Sequence, residues 1–385
     1  MLASAMVGMA APEARSSASL LALADQCVQC GLCLPHCPTY RLDATEAESP
    51  RGRIAYMKAL AGGNLAPSEI GDRHLDHCLG CRRCESACPA GVKYGALLVG
   101  SRAGQFERKA GKGTGRTLRR LLAAPRLLRL LLKAYRSLHP LLPAGLRPLP
   151  RPQSAAAGTR ADPAAETALF VGCIATGYES HARAGLLRLL AAVGTQASIP
   201  DAQACCGTAA LHAGDQVQAQ ALAAANRSAF AGRARVLCLA TGCQESLSAS
   251  LDGLAEVTDA IAFLESRGEA LKFRSAGGRR VALHLPCSSQ RSATRGDEPL
   301  RRLLARVPDL DLVELPDTGC CGAAGLHMFS EPERANAFRA PLLESLANSR
   351  AQELLSANIG CRLHLANASE LPIRHPIEFL AEQLA

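Results

Sequence analysis

A chain of 385 residues, 48% of them hydrophobic, is long enough for two or three ordinary globular domains, and no run of about 18 apolar residues offers a membrane-spanning helix. The net charge of +9 sits in one place: residues 101–160 hold fourteen Lys or Arg against the single acid Glu107, which leaves −4 for everything else. With no Trp and only Phe106 and Tyr135 to stack on bases, that segment excludes nucleic acid in favour of a membrane surface or an acidic partner.

Seventeen Cys would suit a disulfide-stapled secreted chain only if it were short; these fall in metal-ligand spacings, which points to a reducing cytoplasm. Met1 to Ala11 are apolar, but no Lys or Arg precedes Arg15 to start a signal peptide, so residues 1–16 read as a flexible leader. Ser17 to Gln26 reads as a short helix delivering the chain to Cys27. From there Cys27, Cys30, Cys33, Cys37 and Pro38, and later Cys78, Cys81, Cys84, Cys88 and Pro89, both spell C-x2-C-x2-C-x3-C-P. In this ferredoxin-type spacing three thiolates of a run hold one [4Fe-4S] cluster and the fourth reaches across to the other. One cluster is therefore expected on Cys27, Cys30, Cys33 and Cys88, and a second on Cys78, Cys81, Cys84 and Cys37. Zinc is the nearest rival, but zinc sites usually present two separated pairs, whereas here a third and fourth Cys follow each pair at once. Gly31 and Gly80 tolerate the backbone angles of a wrapping loop, and Pro38 and Pro89 hold the preceding Cys extended.

Between the runs, Ser49 is an N-cap, Pro50 the first helical residue and Gly62-Gly63 the stop, with Ile54, Met57 and Leu60 on one face. A second helix opens near Ser68 and carries Ile70 and Leu75 toward Cys78; a third follows Pro89. Residues 17–110 are thus expected to be an α-helical ferredoxin-like N-terminal domain with two [4Fe-4S] clusters. Arg51, Arg53, Arg82 and Arg83 flank the cysteines and either raise cluster potentials or are ordinary surface cations.

Residues 111–165 form a basic Leu/Pro-rich linker. Leu118, Leu121, Leu122, Leu127, Leu128, Leu131 and Leu132 alternate with Arg and Lys across a break at Pro125, before a Pro-rich tract from Pro140 to Pro152. Two readings are open. The leucines pack on neighbouring domains, or the segment docks on an anionic bilayer or a partner protein through Arg119, Arg120, Arg126 and Arg129.

From residue 166 the pattern alternates strand and helix, and it repeats. Ala168–Gly172 runs into Cys173 as Val281–Leu285 runs into Cys287; Cys205-Cys206-Gly207 recurs as Cys320-Cys321-Gly322; Cys243, behind the strand Val236–Leu239, recurs as Cys361. The offsets are 114, 115 and 118 residues, so residues 166–275 and 276–385 are two repeated α/β Cys-Cys-Gly domains, with cysteines at the edge where parallel strands end. Cys173, Cys205, Cys206 and Cys243, and likewise Cys287, Cys320, Cys321 and Cys361, are candidate additional metal ligands; buried structural thiols are the competing reading. Cys238 has no counterpart and reads as core.

The paired cysteine runs, Ser49-Pro50-Arg51-Gly52-Arg53-Ile54, the Cys-Cys-Gly repeats, Ala357-Asn358-Ile359-Gly360-Cys361, Arg374-His375 and Ile377-Glu378 together closely resemble the iron-sulfur subunit of bacterial glycolate oxidase. The repeats are similar to those of heterodisulfide reductase and anaerobic glycerol-3-phosphate dehydrogenase subunits. The resemblance implies an electron-transfer subunit whose FAD-binding partner subunits oxidise glycolate to glyoxylate, with D-lactate a second candidate substrate, and which passes electrons to quinone. The cysteine usage points to a cytoplasmic protein, and the basic segment makes the cytoplasmic face of the inner membrane a candidate docking place. This chain has no glycine-rich dinucleotide fingerprint after a strand, so FAD belongs on the partners. The alternatives are a subunit of another flavin-linked dehydrogenase (lactate or glycerol-3-phosphate), a disulfide-reductase-type enzyme acting at a Cys-Cys-Gly cluster, or a scaffold with empty repeats. One departure bears on the second: Ala240 and Asn358 replace the extra Cys that heterodisulfide reductase repeats use, so each repeat has four thiolates rather than five. Among His212, His284, His327 and His375, near the repeat motifs, His375 is the best candidate for a redox-site neighbour.

Overall fold

Three of the helices around the cysteine runs start where the sequence supplies a serine cap. In the computed structural model, which describes residues 16–109, 115–156, 161–291 and 296–385, α1 (Ser17–Asp25) opens on Ser16, whose hydroxyl accepts the Ser19 amide at 3.1 Å. The leader, apart from Ser16, lies outside the described residues. α2 (Pro38–Asp43) follows the first run, and α3 (Pro50–Ala61) opens on Ser49, which accepts the Gly52 amide at 2.9 Å. Then come α4 (Glu69–Asp76), capped by Ser68, the short α5 (Arg83–Ser86) inside the second run, and α6 (Tyr94–Arg108). Ala24, Ile54, Met57, Leu75, Leu97 and Leu98 form their common core. Leu75 enters it but Ile70 does not; Ile70 is 67% exposed, because five residues along a helix turn the side chain by roughly 140°.

α7 (Gly115–Leu122) and α8 (Pro125–Leu138) form a basic hairpin. Leu128 and Leu132 are buried against Tyr178 and Leu363, so packing on the neighbours accounts for one stripe of leucines. Leu127 and Leu131 lie outside it, exposed. Arg119 is not a surface cation either. It is buried, with its guanidinium carbon 5.2 Å from the Phe106 ring centroid and its Nη2 3.8 Å from Asp215.

The first repeat runs β1 (Thr167–Phe170), α9 (Ala175–Tyr178), α10 (Ser180–Ala192), α11 (Thr208–His212), α12 (Gln216–Ala229), β2 (Arg235–Cys238), α13 (Thr241–Leu251), β3 (Glu256–Asp259) and α14 (Ala260–Glu265). The second runs β4 (Arg280–His284), α15 (Cys287–Arg291), α16 (Asp297–Leu304), β5 (Asp311–Glu314), α17 (His327–Ser330), α18 (Pro332–Ser349), β6 (Glu353–Ser356), α19 (Ile359–Ala366), β7 (Ile373–Arg374) and α20 (Pro376–Gln383). Both sheets are parallel, in the orders β1-β2-β3 and β5-β4-β6-β7. A bridge from Ala168 to Ser198 on the free side of β1 takes the place that β5 holds beside β4. The two sheets therefore share one strand order, and their cysteines follow the carboxyl ends of β1, β2, β4 and β6.

The repeats are halves of one body. Leu186, Leu189 and Leu190 of α10 share a cluster with Ile377, Phe379 and Leu380 of α20, and Ile261 and Leu264 of α14 share it with Leu300, Leu303 and Leu304 of α16. Gly185 permits the close approach of α20: a Cβ there would lie 3.0 Å from that of Ala381 and 3.2 Å from the Ile377 carbonyl. A buried ion pair between Glu179 of the first repeat and Arg362 of the second crosses the same seam. Among the described residues no helix is long and apolar enough to cross a membrane.

Candidate metal centres

Both cysteine loops depend on left-handed backbone. Gln29 and Gly31 have φ of 58° and 82° in the first, and Gly80 and Arg82 have φ of 60° and 55° in the second. Cys37, with φ −89° and ψ 116°, is extended ahead of Pro38.

Two cavities result. The first, about 430 Å³, is lined by Cys27, Cys30, Cys33, Cys84 and Cys88, with Ile54, Val92 and Tyr94 among its apolar walls. The second, about 300 Å³, is lined by Cys37, Cys78, Cys81 and Cys84. Cys37 of the first run thus faces the second cavity, and Cys88 of the second run faces the first. Among the described residues no Asp, Glu or His lines either, so the donors are sulfur alone, a soft set suited to iron-sulfur clusters or zinc. Without metal the thiols are crowded: burial and the neighbouring Cys78, Cys81 and Cys37 push the Cys84 thiol well above its ordinary value, and burial also raises Cys33. A metal core relieves that crowding, and the residues fit one in each cavity.

Cations stand close by, held in place rather than solvated. Arg53 is 1% exposed and donates to the His74 carbonyl at 2.6 Å, the Glu48 carbonyl at 2.6 Å, the Thr39 hydroxyl at 2.9 Å and the Glu48 carboxylate. Arg102 donates to the carbonyls of Leu75 and Cys78 at 2.6 and 2.7 Å and to that of His212 at 3.0 Å. Burial alone would raise the Cys78 thiol, but the charges of Arg53 and Arg102 and the Tyr94 hydroxyl, 3.4 Å away, bring it below its ordinary value. Arg51 pairs with Glu46, Arg82 with Glu85 and Glu245, and Arg83 with Asp317.

Each repeat brings its four candidate cysteines together. Cys205 lies between the thiols of Cys173 and Cys206, and Cys206 is in turn against Cys243. In the second repeat Cys320 lies between Cys287 and Cys321, and the Cys321 and Cys361 sulfurs are 2.8 Å apart. Gly322 (φ 85°) seats its loop on α18, where a Cβ would come 2.5 Å from the Ala335 carbonyl. Asn358 is spent elsewhere: its Oδ1 accepts the Gly360 and Cys361 amides at 2.9 and 3.3 Å, and its Nδ2 donates to Ser288 at 2.9 Å. Cys238 is buried at the carboxyl end of β2, its thiol donating to the Ala240 carbonyl at 3.3 Å.

The second quartet abuts the second cavity. Cys81 packs with Leu79, Cys320 and Phe338 in one apolar cluster, with Cys287 against it. Arg334 of α18 holds the Asp43 carboxylate at 2.6 and 3.1 Å across the same junction. On the other side, a Cβ on Gly80 would sit 3.4 Å from the His212 ring, so the first repeat also reaches this loop. His375 spends both ring nitrogens on backbone: the Ile377 amide donates to Nδ1 at 3.1 Å, and Nε2 faces the Leu239 carbonyl at 3.1 Å. It caps α20 and joins it to the first repeat. Burial holds His284, bonded to Ser356, down at about 4, so it is a neutral structural group.

Two positioning residues lack any local sequence signal. Asn226, fully buried on α12, accepts the Ala204 amide at 2.9 Å and donates to the Cys205 carbonyl at 3.0 Å; Gln203 ties the end of β1 through the Val171 amide at 2.6 Å. Asn226→Leu is expected to destabilise the chain by about 1–3 kcal/mol, since it strands two buried backbone groups beside Cys205. A shifted midpoint in anaerobic urea denaturation measures this; an unchanged midpoint would show that the loop holds itself.

Two adjoining cysteine-lined cavities that share Cys84, followed by a duplicated parallel-sheet unit with clustered cysteines, define an iron-sulfur protein of the dicluster class. A 4Fe-4S dicluster domain model matches residues 23–92, and a cysteine-rich domain model matches residues 167–247 and 281–366. The chain is 30% identical to the glycolate oxidase iron-sulfur subunit of Escherichia coli K12 over 93% of both chains. It is 28% identical to a probable glycolate oxidase iron-sulfur subunit of Bacillus subtilis, over 88% of this chain and 87% of the relative. It is also 25% identical, over 94% of each chain, to a component of the dihydromethanophenazine:CoB–CoM heterodisulfide reductase of Methanosarcina barkeri. The chain belongs to the family of glycolate oxidase iron-sulfur subunits.

Proposed function

We propose that this chain carries electrons from FAD on partner subunits, which oxidise glycolate to glyoxylate, to an acceptor such as quinone. The observation that carries this reading is the row of thiol sites: the first cavity, the second sharing Cys84 with it, and the second repeat's quartet packed on Cys81. In this reading residues 17–110 are a ferredoxin-like unit. Cys27, Cys30, Cys33 and Cys88 would hold one [4Fe-4S] cluster and Cys37, Cys78, Cys81 and Cys84 the other. Such clusters supply one-electron exchange at potentials set by charge, hydrogen bonding and burial. The chain's own residues supply those settings. Arg53 and Arg102 place positive charge beside Cys78, and Tyr94 orients a hydroxyl on it. Ile54, Val92 and Tyr94 form apolar walls, and Leu79 and Phe338 keep the junction with the second repeat dry. Residues 166–275 and 276–385 form the two Cys-Cys-Gly units, whose quartets would each take a further cluster. Disulfide-reductase chemistry fits less well, because Asn358 stands where a fifth thiolate would be needed and its side chain is committed to capping α19.

Iron and sulfide analysis with EPR on anaerobically prepared protein tests the reading. Occupied repeats are expected to give about twelve to sixteen irons per chain; about eight restricts the clusters to the N-terminal unit, and markedly fewer sinks the proposal.

A further inference from the structure

The leucines of α8 divide into two stripes, and only one is used by the fold. Leu128 and Leu132 pack with Tyr178, Leu363 and Ile359, beside Cys173. At 3.6 residues per turn, Leu127, Leu130, Leu131, Ala134 and Leu138 fall on a separate sector roughly 100° wide. That sector faces outward: Leu130 is 64% exposed, and Leu127, Leu131 and Leu138 are exposed as well. Arg126, Arg129 and Lys133, all exposed, occupy the third sector of the same helix. The apolar surface continues into the turns that follow, with Leu141 82% exposed and Leu146 also outside. No acid occurs in the sequence between Glu107 and Asp162. The Pro-rich tract after α8 is nonetheless tied back, since the Tyr135 hydroxyl of α8 donates to the Leu149 carbonyl at 2.6 Å and that of Tyr178 in the first repeat to the Pro150 carbonyl at 2.8 Å.

We propose that α8 and the turns after it are a docking surface for an anionic lipid bilayer. An exposed apolar stripe beside a row of cations, with no carboxylate to repel lipid phosphate, is the pattern of a helix lying in a membrane interface. The other face of α8 covers the edge where the two repeats meet, next to Cys173 and Ile359, so docking holds that edge close to the headgroups. The inference adds a membrane-facing side to the proposed electron carrier without depending on any electron-transfer step.

Co-sedimentation of the full, cluster-loaded chain with vesicles of phosphatidylglycerol and phosphatidylcholine, against vesicles of phosphatidylcholine alone, tests it. Binding is expected only with the anionic lipid and is expected to weaken as salt rises. Leu127→Gln/Leu130→Gln/Leu138→Gln should lose at least roughly tenfold in partitioning, and Arg126→Gln/Arg129→Gln/Lys133→Gln roughly a hundredfold at low salt. Both variants alter exposed side chains, and iron content equal to the parent verifies their fold. Absence of binding, equal binding to both vesicle types, or partitioning unchanged in both variants overturns the proposal. So does a leucine variant that keeps vesicle binding but releases the flavoprotein subunits, which would make the stripe a protein interface. Because sedimentation reads no activity, its failure leaves the electron-transfer reading standing.

Discussion

Replacing Cys81 by serine is expected to remove about four irons and to abolish electron transfer from the flavoprotein partners to a dye or quinone. Cys81 lines the second cavity with Cys37, Cys78 and Cys84, and its buried thiol also packs on Leu79, Cys320 and Phe338. It therefore stands at the contact between the N-terminal unit and the second repeat. A serine hydroxyl is nearly isosteric but stays protonated, so it is a poor substitute for a thiolate that must bind iron. Loss of one ligand at this point breaks the row of sites in its middle. Cys30→Ser, at the exposed end of the row, should also cost about four irons, but it leaves the second cavity and its junction intact. Iron and sulfide counts, EPR and steady-state dye reduction of the assembled complex read these outcomes. Activity that survives Cys81→Ser with the second cluster lost would mean that electrons bypass the second cavity.

What the sequence disclosed and what it withheld follow a physical division. The cysteine spacings, the caps at Ser49 and Ser68 and the strands ahead of Cys173 and Cys287 are local patterns, and the helices and strands begin within a residue or two of where those patterns place them. The offset between the repeats was equally legible, because it needs only identical residues at a near-constant separation. The common core of the repeats was not: period reading treats each unit alone, and nothing in Ile377 or Phe379 says that their helix packs on α10 rather than on its own sheet. Polar residues were hardest to read. His375 looked like a redox neighbour because it lies near a motif, but its ring is a cap and a tie to Leu239. The α8 leucines read as one stripe in the chain and split into two only once the buried face was known. Glu48 carried no signal at all, yet it gathers Arg53, His74 and His77 around one buried carboxylate.

That cluster supports the second large prediction. Arg53→Met is expected to destabilise the chain by about 3–5 kcal/mol and to make the second cluster labile. Arg53 ties Thr39, Glu48 and the His74 carbonyl together through one guanidinium. Thr39 lies two residues after Cys37, with its hydroxyl 3.2 Å from that thiol, and His74 and His77 belong to the segment that delivers Cys78. Burial alone would raise the Glu48 carboxyl, but hydrogen bonds from His77 and His74 and the Arg53 charge outweigh it and hold it at about 2. The carboxylate is therefore charged inside the protein, and Met removes its most deeply buried cationic partner, leaving His74, His77 and, 3.6 Å away, Arg334. Removing one member of a buried pair costs more than the pair contributes, because the survivor keeps its desolvation penalty. Against a total stability of roughly 5–15 kcal/mol, that loss is a third or more of the margin for many chains. Arg53→Lys keeps the charge but lacks the fork that reaches several acceptors, so it should fall between parent and Met. Adding Glu48→Gln to Arg53→Met removes the stranded charge and should recover about 1–2 kcal/mol. Anaerobic urea midpoints report the stability, and the rate of iron release to a chelator reports the second site. A parental midpoint together with parental iron retention in Arg53→Met would show that the loops hold their cysteines without this arginine.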